Sequence, residues 1–518
     1  MSAATRTIII GSRGSDLALW QANNVKAQLE ALGHTVEIQI SKTQGDKIQH
    51  LSFDKLEGKG FFTKEIEAAL LNKSVDLAVH SHKDLETTPP EGLVVAAVSE
   101  REDPSELLLI RPEAVDSTQK WGLKANAMVG TSSARRKAIL RSFRPDVGLK
   151  DLRGNVPTRV NKLREGQYDA ILLANAGVSR LELGLSDLHV EKLDPREFVP
   201  APAQGVLALQ VREDDVEMCS ILWNLNHHRV AECIEVERTV LNRFEGGCQL
   251  PLGVYCRHTE HGVEAWAAAA NSWEEVPGRF HLHAPKAEGL ADRIVAHLKM
   301  PARKSVFITR DLLPDSLFSR MLEARGMSVR GQSLIETRTL ETPEAPAGDW
   351  YFFSSPTGVT HFLKQHTVPE GARVAAIGSG TGDRLRAKGL APEFEGSGTD
   401  TQAVARDFAA VGSGTVVFPI GTASLRNVQR TLGDAMKLVD LEVYETASKS
   451  VSGLPESDVM VFTSPSNVEA YFAQHTLSER AAVVAMGPST EAALKQHGVQ
   501  NALVPWTASE LALADAVL

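Results

Sequence analysis

Short apolar runs and longer amphipathic stretches alternate along the whole chain. Val36–Ile40, Leu77–Val79, Leu93–Val98, Leu107–Ile110 and Ala170–Leu173 read as short buried strands. Ser15–Leu32, Lys64–Leu71 and Leu290–Lys299 carry helical spacing instead. Strands and helices in alternation predict an α/β architecture, in which ligands gather where strands hand over to loops at their carboxyl ends. The polar clusters follow the apolar runs in that way: Asp76–Val79 leads into His80, Ser81, His82, Lys83 and Asp84. After Leu290–Lys299 a short break, Met300 to Lys304, precedes the next strand, Val306–Thr309. Beyond the break, motifs recur at a constant offset of 109 residues: Ser355-Pro356 with Ser464-Pro465, Gly378 and Thr381 with Gly487 and Thr490, Glu336-Thr337 with Glu445-Thr446. Two similar α/β lobes are expected there, with Ser-Pro and Gly-x-x-Thr turns facing a cleft between them.

Composition narrows the class. At 518 residues and 43% hydrophobic content the chain is too long for one ordinary domain, and at least three compact units are expected. A net charge of −10 and only 6% aromatic residues argue against a nucleic-acid module, which needs a basic footprint and stacking rings. Ile8–Ile10 is too short for a signal or membrane segment, so a cytoplasmic protein is expected. Cys219, Cys233, Cys248 and Cys256 are too few for a disulfide framework, and no Cys-x-x-Cys pair lies near His227, His228 and His258, so no metal is expected.

Positive charge is instead local. Arg135, Arg136, Arg153, Arg159 and Arg180 lie among glycines, serines and threonines, with Gly130-Thr131-Ser132-Ser133 and Gly154-Asn155 leading into two helix starts. Converging guanidiniums repel one another unless a ligand brings several negative charges, so the pocket should take a multi-carboxylate or a phosphate. A Gly- and Lys-rich segment, Lys47–Gly60, is either a lid over that anion or a solvated loop. Asp84, a carboxylate at a strand end among cations, could stabilise a developing cation or shuttle a proton; the alternative is a capping or salt-bridging aspartate. Cys248, on the turn Glu245-Gly246-Gly247, could present its thiol to a bulky adduct, whereas the other three cysteines suit buried filling.

Together, Arg13 with Ser15, Leu17, Ala18 and Trp20, then Gly58–Phe62, Val79–Asp84, Arg101–Pro104, Gly130–Arg136, Leu152–Arg159, Gln204-Gly205, Asn226–His228 and Glu245–Pro251 resemble hydroxymethylbilane synthase, also called porphobilinogen deaminase, over about residues 5–300. The resemblance implies three subdomains, about 1–104 with 201–223, 105–200 and 224–300, the first two periplasmic-binding-protein-like and the third a small α+β unit. It implies one dipyrromethane cofactor per chain, joined by a thioether to Cys248 and held by Ser81, Lys83, Thr131, Ser133, Arg135 and Arg136. Incoming porphobilinogen and the growing chain would be held by Arg13, Ser15, Lys55, Lys59, Phe62, Arg153, Arg159, Arg180 and Gln204, with Asp84 between the two sites. Each porphobilinogen brings an acetate and a propionate, which accounts for the arginines. In the implied chemistry, substrate loses ammonia to give an azafulvene, the terminal pyrrole attacks it, and Asp84 steadies the cationic nitrogens along the path. Three departures from the family pattern stand out: Ala203 in place of the usual glycine before Gln204, His82 in place of a common methionine, and Pro157 inside the second arginine motif.

Thr309-Arg310, Phe353–Pro356, Gly378 with Thr381, Val443–Thr446, Phe462–Ser466 and Gly487–Thr490 resemble uroporphyrinogen-III synthase over about residues 304–518, joined to the first half by a linker at 301–304. The resemblance implies one lobe from about 305–337 with 447–518 and another from 338–446, the chain crossing near Thr337 and returning near Thr446. It also implies that hydroxymethylbilane closes with inversion of its last ring and loss of water. Ser355, Thr381, Ser464 and Thr490 would bind it, and Tyr444, which breaks the repeat where the other copy has Ile335, could protonate the leaving hydroxyl. Fusion would raise capture of a bilane that otherwise closes without inversion. The chain is thus expected to be a monomeric bifunctional enzyme with no nucleic-acid or membrane partner. The competing readings are an anion-binding receptor, which would need neither Asp84 nor Cys248, and an active deaminase with a degenerate structural C-terminal half.

Overall fold

The computed structural model describes residues 6–41, 63–244, 250–300, 302, 304–342, 344–397, 400–451 and 453–518. Lys55, Lys59 and Phe62, the Gly- and Lys-rich segment read as a lid or a solvated loop, Cys248, and part of the 301–304 linker lie outside the described residues. The chain gathers into two compact units, one drawn from Met1–Val115 and Leu123–Met300, the other from Asp116–Gly122 and Pro301–Leu518.

The first unit holds two five-stranded sheets of the same design. In one, Thr35–Ser41, Thr7–Arg13 and Leu77–Ser81 run parallel, followed by Leu207–Arg212 antiparallel and then Leu93–Val98. In the other, Gly148–Lys150, Met128–Gly130 and Ala170–Ala174 run parallel, followed by Glu106–Ile110 antiparallel and then His189–Leu193. The chain therefore passes between the sheets twice, after Val98 and after Leu193. Each of the five strands read from the sequence is present, as are helices Asp16–Ala31 and Lys64–Leu71. A three-stranded antiparallel sheet, Leu252–Thr259, Gly262–Ala269 and Gly278–Ala284, packs with helices His228–Arg243 and Leu290–Lys299 around a separate core that includes Val236, Val254 and Ile294.

Buried polar bonds help to lock these parts together. The Glu237 carboxylate, fully buried on helix His228–Arg243, pairs with Arg101 at 2.6 Å and accepts the backbone N–H groups of Ala203 at 2.7 Å and Cys256 at 2.8 Å. Arg101 also donates to the Gln204 carbonyl at 3.0 Å, so one ion pair fixes the loop that presents Gln204. Gly205 in that loop has a φ of +89°, and an added Cβ would run into the Glu102 carbonyl oxygen, so only glycine fits.

The three departures from the family pattern have physical readings. Pro157 sits in the first turn of helix Val156–Arg164, where a missing N–H costs nothing. His82 is 5% exposed; burial above all, then the Arg238 and His80 charges, hold its imidazole neutral, with a pKa lowered to about 3, so it serves as an uncharged filler. Ala203 keeps the left-handed conformation, at a φ of +62°. That costs an L-residue about 1–2 kcal/mol, against about 0.8 kcal/mol for burying its methyl group. Ala203→Gly is accordingly expected to raise the stability of the first unit by roughly 0.5 kcal/mol, read as a small upward shift in its urea midpoint; a clear loss would show that the methyl packing dominates.

In the second unit, one sheet is ordered Ser328–Gly331, Ser305–Ile308, Val459–Phe462, Ala482–Ala485, and the other Ile335–Thr339, Lys437–Ser448, Thr415–Gly421, Trp350–Phe353, Arg373–Ala376, Phe394–Glu395. The 109-residue repeat is structural: strands 350–353 and 459–462, helices 356–362 and 465–472, strands 373–376 and 482–485 correspond. It extends to single bonds, since Gln365 brackets Thr342 N and Leu340 O as Gln474 brackets Val451 N and Lys449 O. The two crossings between lobes pair as an antiparallel ribbon in which Thr337 faces Thr446.

Candidate active site

A cavity of about 910 Å³ opens between the two five-stranded sheets of the first unit, at the carboxyl ends of their parallel strands. Arg13 and Ser15 enter it from the end of strand Thr7–Arg13, and Ser81, Lys83 and Asp84 from the end of Leu77–Ser81. Arg136, Arg153, Arg159 and Arg180 enter from the other sheet, and Gln204 from the loop between them. With Lys162, seven basic side chains of the described residues line the cavity against two carboxylates, Asp16 and Asp84. A ligand carrying several negative charges is what such a surplus would suit.

Local rules place the groups. Ser133 caps helix Ala134–Phe143 by accepting the Arg136 N–H, Asn155 caps Val156–Arg164 by accepting the Thr158 N–H, and Ser15 caps Asp16–Ala31 by accepting the Ala18 N–H. Arginines therefore emerge at two helix starts, where like-signed dipole and charge reinforce an anion site. The turn His82–Asp84 is held from beneath by Arg238, which donates to the His82 carbonyl at 3.0 Å, the Leu85 carbonyl at 3.3 Å, and the Glu86 carbonyl. Asp84 is exposed to the cavity. Lys83 donates to the Gln204 side-chain oxygen at 3.2 Å; burial pushes its pKa down, and the Asp84 charge works against that shift. Arg159 is pulled to about 10 by burial first and then by Arg136, with Asp84 again opposing. Arg180 donates to the Gly205 carbonyl at 2.7 Å and lies 5.6 Å from the Trp20 ring centre.

Arg135 and Arg136 part company. Both converge on one carboxylate, Glu106, which is fully buried at the head of strand Glu106–Ile110. Burial raises the Glu106 pKa, but Arg136 and Arg135 together outweigh it and bring the carboxyl down to about 2. Arg135 also donates to the Val199 carbonyl at 2.9 Å and does not line the cavity. Arg136 does, and its buried Nε has no partner among the described residues. Thr131 and Ser133 are also absent from the cavity wall, Thr131 accepting the Ser133 N–H and Ser133 serving as the cap. Glu106 was missed from the sequence; the signal that could have found it is a lone acid opening an otherwise apolar strand, which needs a buried cation. Gln21, which donates to Ser81 Oγ at 2.9 Å on the cavity wall, carried no such signal.

In the second unit Ser355 and Ser464 are helix caps, accepting the Gly358 and Asn467 N–H groups at 3.0 and 3.2 Å. Thr381 and Thr490 are buried in the first turns of matching helices, 3% and 2% exposed. Tyr444 is half-buried on the interlobe ribbon, stacked on the His361 imidazole.

Comparison with known proteins finds two families along the chain. Residues 8–220 match the family model for the porphobilinogen deaminase dipyrromethane cofactor binding domain, 231–264 that for the porphobilinogen deaminase C-terminal domain, and 316–515 that for uroporphyrinogen-III synthase HemD. A porphobilinogen deaminase of Nitratiruptor sp. is 46% identical over 247 residues, covering 48% of this chain and 77% of that one. A probable porphobilinogen deaminase of Methanocaldococcus jannaschii is 45% identical over 253 residues, covering 49% and 84%. Among solved structures, the uroporphyrinogen-III synthetase of Helicobacter pylori aligns with 42% of this chain and 98% of its own at 14% identity and a TM-score of 0.31, too low to carry an argument.

Proposed function

Because this chain belongs to the porphobilinogen deaminase family and carries a uroporphyrinogen-III synthase domain behind it, we propose that one polypeptide performs two successive steps of tetrapyrrole biosynthesis. The first joins four porphobilinogens head to tail with loss of ammonia, giving hydroxymethylbilane; the second closes the bilane with inversion of one ring and loss of water. The observation that carries this reading is seven cations against two carboxylates among the described residues of a cavity of about 910 Å³. Dipyrromethane fits that wall: its two rings bring four carboxylates, and Arg136 offers a buried Nε with no partner among the described residues. Ser81, Lys83 and Arg136 would hold it, with Arg135 acting from behind through Glu106. When bound through Cys248, the group supplies the nucleophilic pyrrole carbon on which the chain grows, through a thioether that water does not readily cleave.

The chain's own residues do the rest. Arg13, Arg153, Arg159 and Arg180 bind and orient the acetate and propionate arms of substrate and growing chain. Asp84, fixed on a turn that Arg238 supports, stabilises cationic pyrrole nitrogens by proximity and preorganisation. In the second unit the Tyr444 phenol gives its proton to the departing hydroxyl of the bilane, the C–O bond breaks, and water leaves; the proton lost as the ring closes restores the phenol. A cytoplasmic, monomeric enzyme belongs to the same proposal.

The test is to supply porphobilinogen alone to the purified full chain. We expect an intact mass that includes one covalent dipyrrole, and, after oxidation, mainly the type III uroporphyrin isomer. An unmodified mass refutes the primer; type I isomer alone would mean that the second half is structural.

A further inference from the structure

The Tyr444 site departs from the internal repeat on both sides of one contact. The ring facing Tyr444 is that of His361, on helix Pro356–Phe362, at 5.2 Å between centroids and 21° between planes. A shift of 109 residues turns His361 into Ala470 and Tyr444 into Ile335, so neither partner of this stack exists in the other copy. The copies do share the hydrogen bonds of Gln365 and Gln474 on the same two helices, so the ring pair is an addition made in one copy on a common frame.

Three further features converge on the same phenol. His361 is 3% exposed and both of its ring nitrogens are engaged, Nε2 with Thr337 Oγ1 and Nδ1 with Thr339 Oγ1, each at 2.8 Å. Both hydroxyls belong to the strand that leaves for the second lobe, and Thr339 is the register partner of Tyr444. The strand carrying Tyr444 is bulged: Ile420 pairs with Glu442 but Gly421 with Tyr444, so Val443 is the extra residue. Bulges re-aim the side chain beside them and recur next to active sites. Gly421 completes the seat, since a Cβ there would lie 2.7 Å from two Tyr444 ring carbons and 3.1 Å from the phenol oxygen. Ring stack, bulge and missing Cβ leave the phenol one orientation.

We propose that His361, clamped between Thr337 and Thr339, is a positioning residue that aims the Tyr444 phenol at the hydroxyl lost during ring closure. This deepens the reading of Tyr444 as the acid and rests on it. His361 acts as an oriented, uncharged ring, with burial holding its pKa below the ordinary imidazole value. It does not touch the bilane.

The experiment is a double-mutant cycle in the full-length chain, assayed with fresh hydroxymethylbilane, with the urea unfolding transition of the second unit as the measure of folded protein. His361→Ala is expected to lower kcat for type III formation about tenfold with KM little changed, and His361→Phe, which keeps a ring against Tyr444, to recover most of that loss. In a Tyr444→Phe background His361→Ala should add nothing. Full activity of His361→Ala, or a loss that multiplies with that of Tyr444→Phe, overturns the positioning role while leaving the tyrosine's own role intact. Full activity of Tyr444→Phe overturns the acid, and the positioning role falls with it.

Discussion

Asp84→Asn is expected to leave the chain folded and carrying its dipyrrole while slowing porphobilinogen turnover by hundreds-fold, an increase in barrier of about 3–4 kcal/mol. The amide has the shape of the carboxylate, so the turn His82–Asp84 and its three bonds from Arg238 survive. What is lost is the negative charge, one of two on a described wall that otherwise carries seven positive ones. A pyrrole nitrogen that becomes cationic during ring joining then faces a described wall on which Asp16 is the one remaining carboxylate against seven cations. A second consequence has a definite sign. The Asp84 charge raises the pKa values of Lys83 and Arg159, so its removal lowers both, and the alkaline limb of the rate profile should move to lower pH. Single-turnover rates with intact mass as the check on primer retention measure both effects. Near-normal bilane production by this variant removes Asp84 from the mechanism.

Glu106→Gln is expected to destabilise the first unit by about 3–5 kcal/mol, because it leaves two buried guanidiniums without their shared counter-charge. The pH dependence gives an independent reading. The carboxyl is depressed in the fold to about 2 from an ordinary value of 4.5. The unfolded chain therefore binds the proton more readily, and stability rises with pH between those values. The contribution is fully present above 4.5 and is lost as pH falls through about 2; at 1.36 kcal/mol per unit it amounts to about 3 kcal/mol. Urea midpoints measured at several pH values should show that slope in the wild type and a flatter one in Glu106→Gln. An unchanged midpoint at neutral pH would mean that Arg135 and Arg136 find other partners.

Much of the fold was legible because strand and helix periodicities are local. The five apolar runs of the first half became strands within a residue or so at either end, and Leu290–Lys299 became a helix with the same bounds. The repeat offset was legible for the same reason, since each copy folds by the same local instructions. The cavity was legible through residue type: Arg13, Ser15, Ser81, Lys83, Asp84, Arg136, Arg153, Arg159, Arg180 and Gln204 all reach it. Less legible was how a shared residue type divides its work. Arg135 and Arg136 are neighbours in sequence, yet one faces Val199 and the other the cavity, because successive helix positions point about a quarter-turn apart.

The sequence alone thus determined five strands and three helices of the first half, where the repeat falls, and which basic side chains would gather at one cleft. Those depend on spacing along the chain and on side-chain chemistry. Only the tertiary structure decided that Glu106 neutralises the arginine pair from 29 and 30 positions away, that Glu237 ties Arg101 to the Ala203 loop, and that His361 lies against Tyr444. Electrostatic pairing and ring stacking fall off over a few ångströms in space, and separation along the chain does not encode that distance.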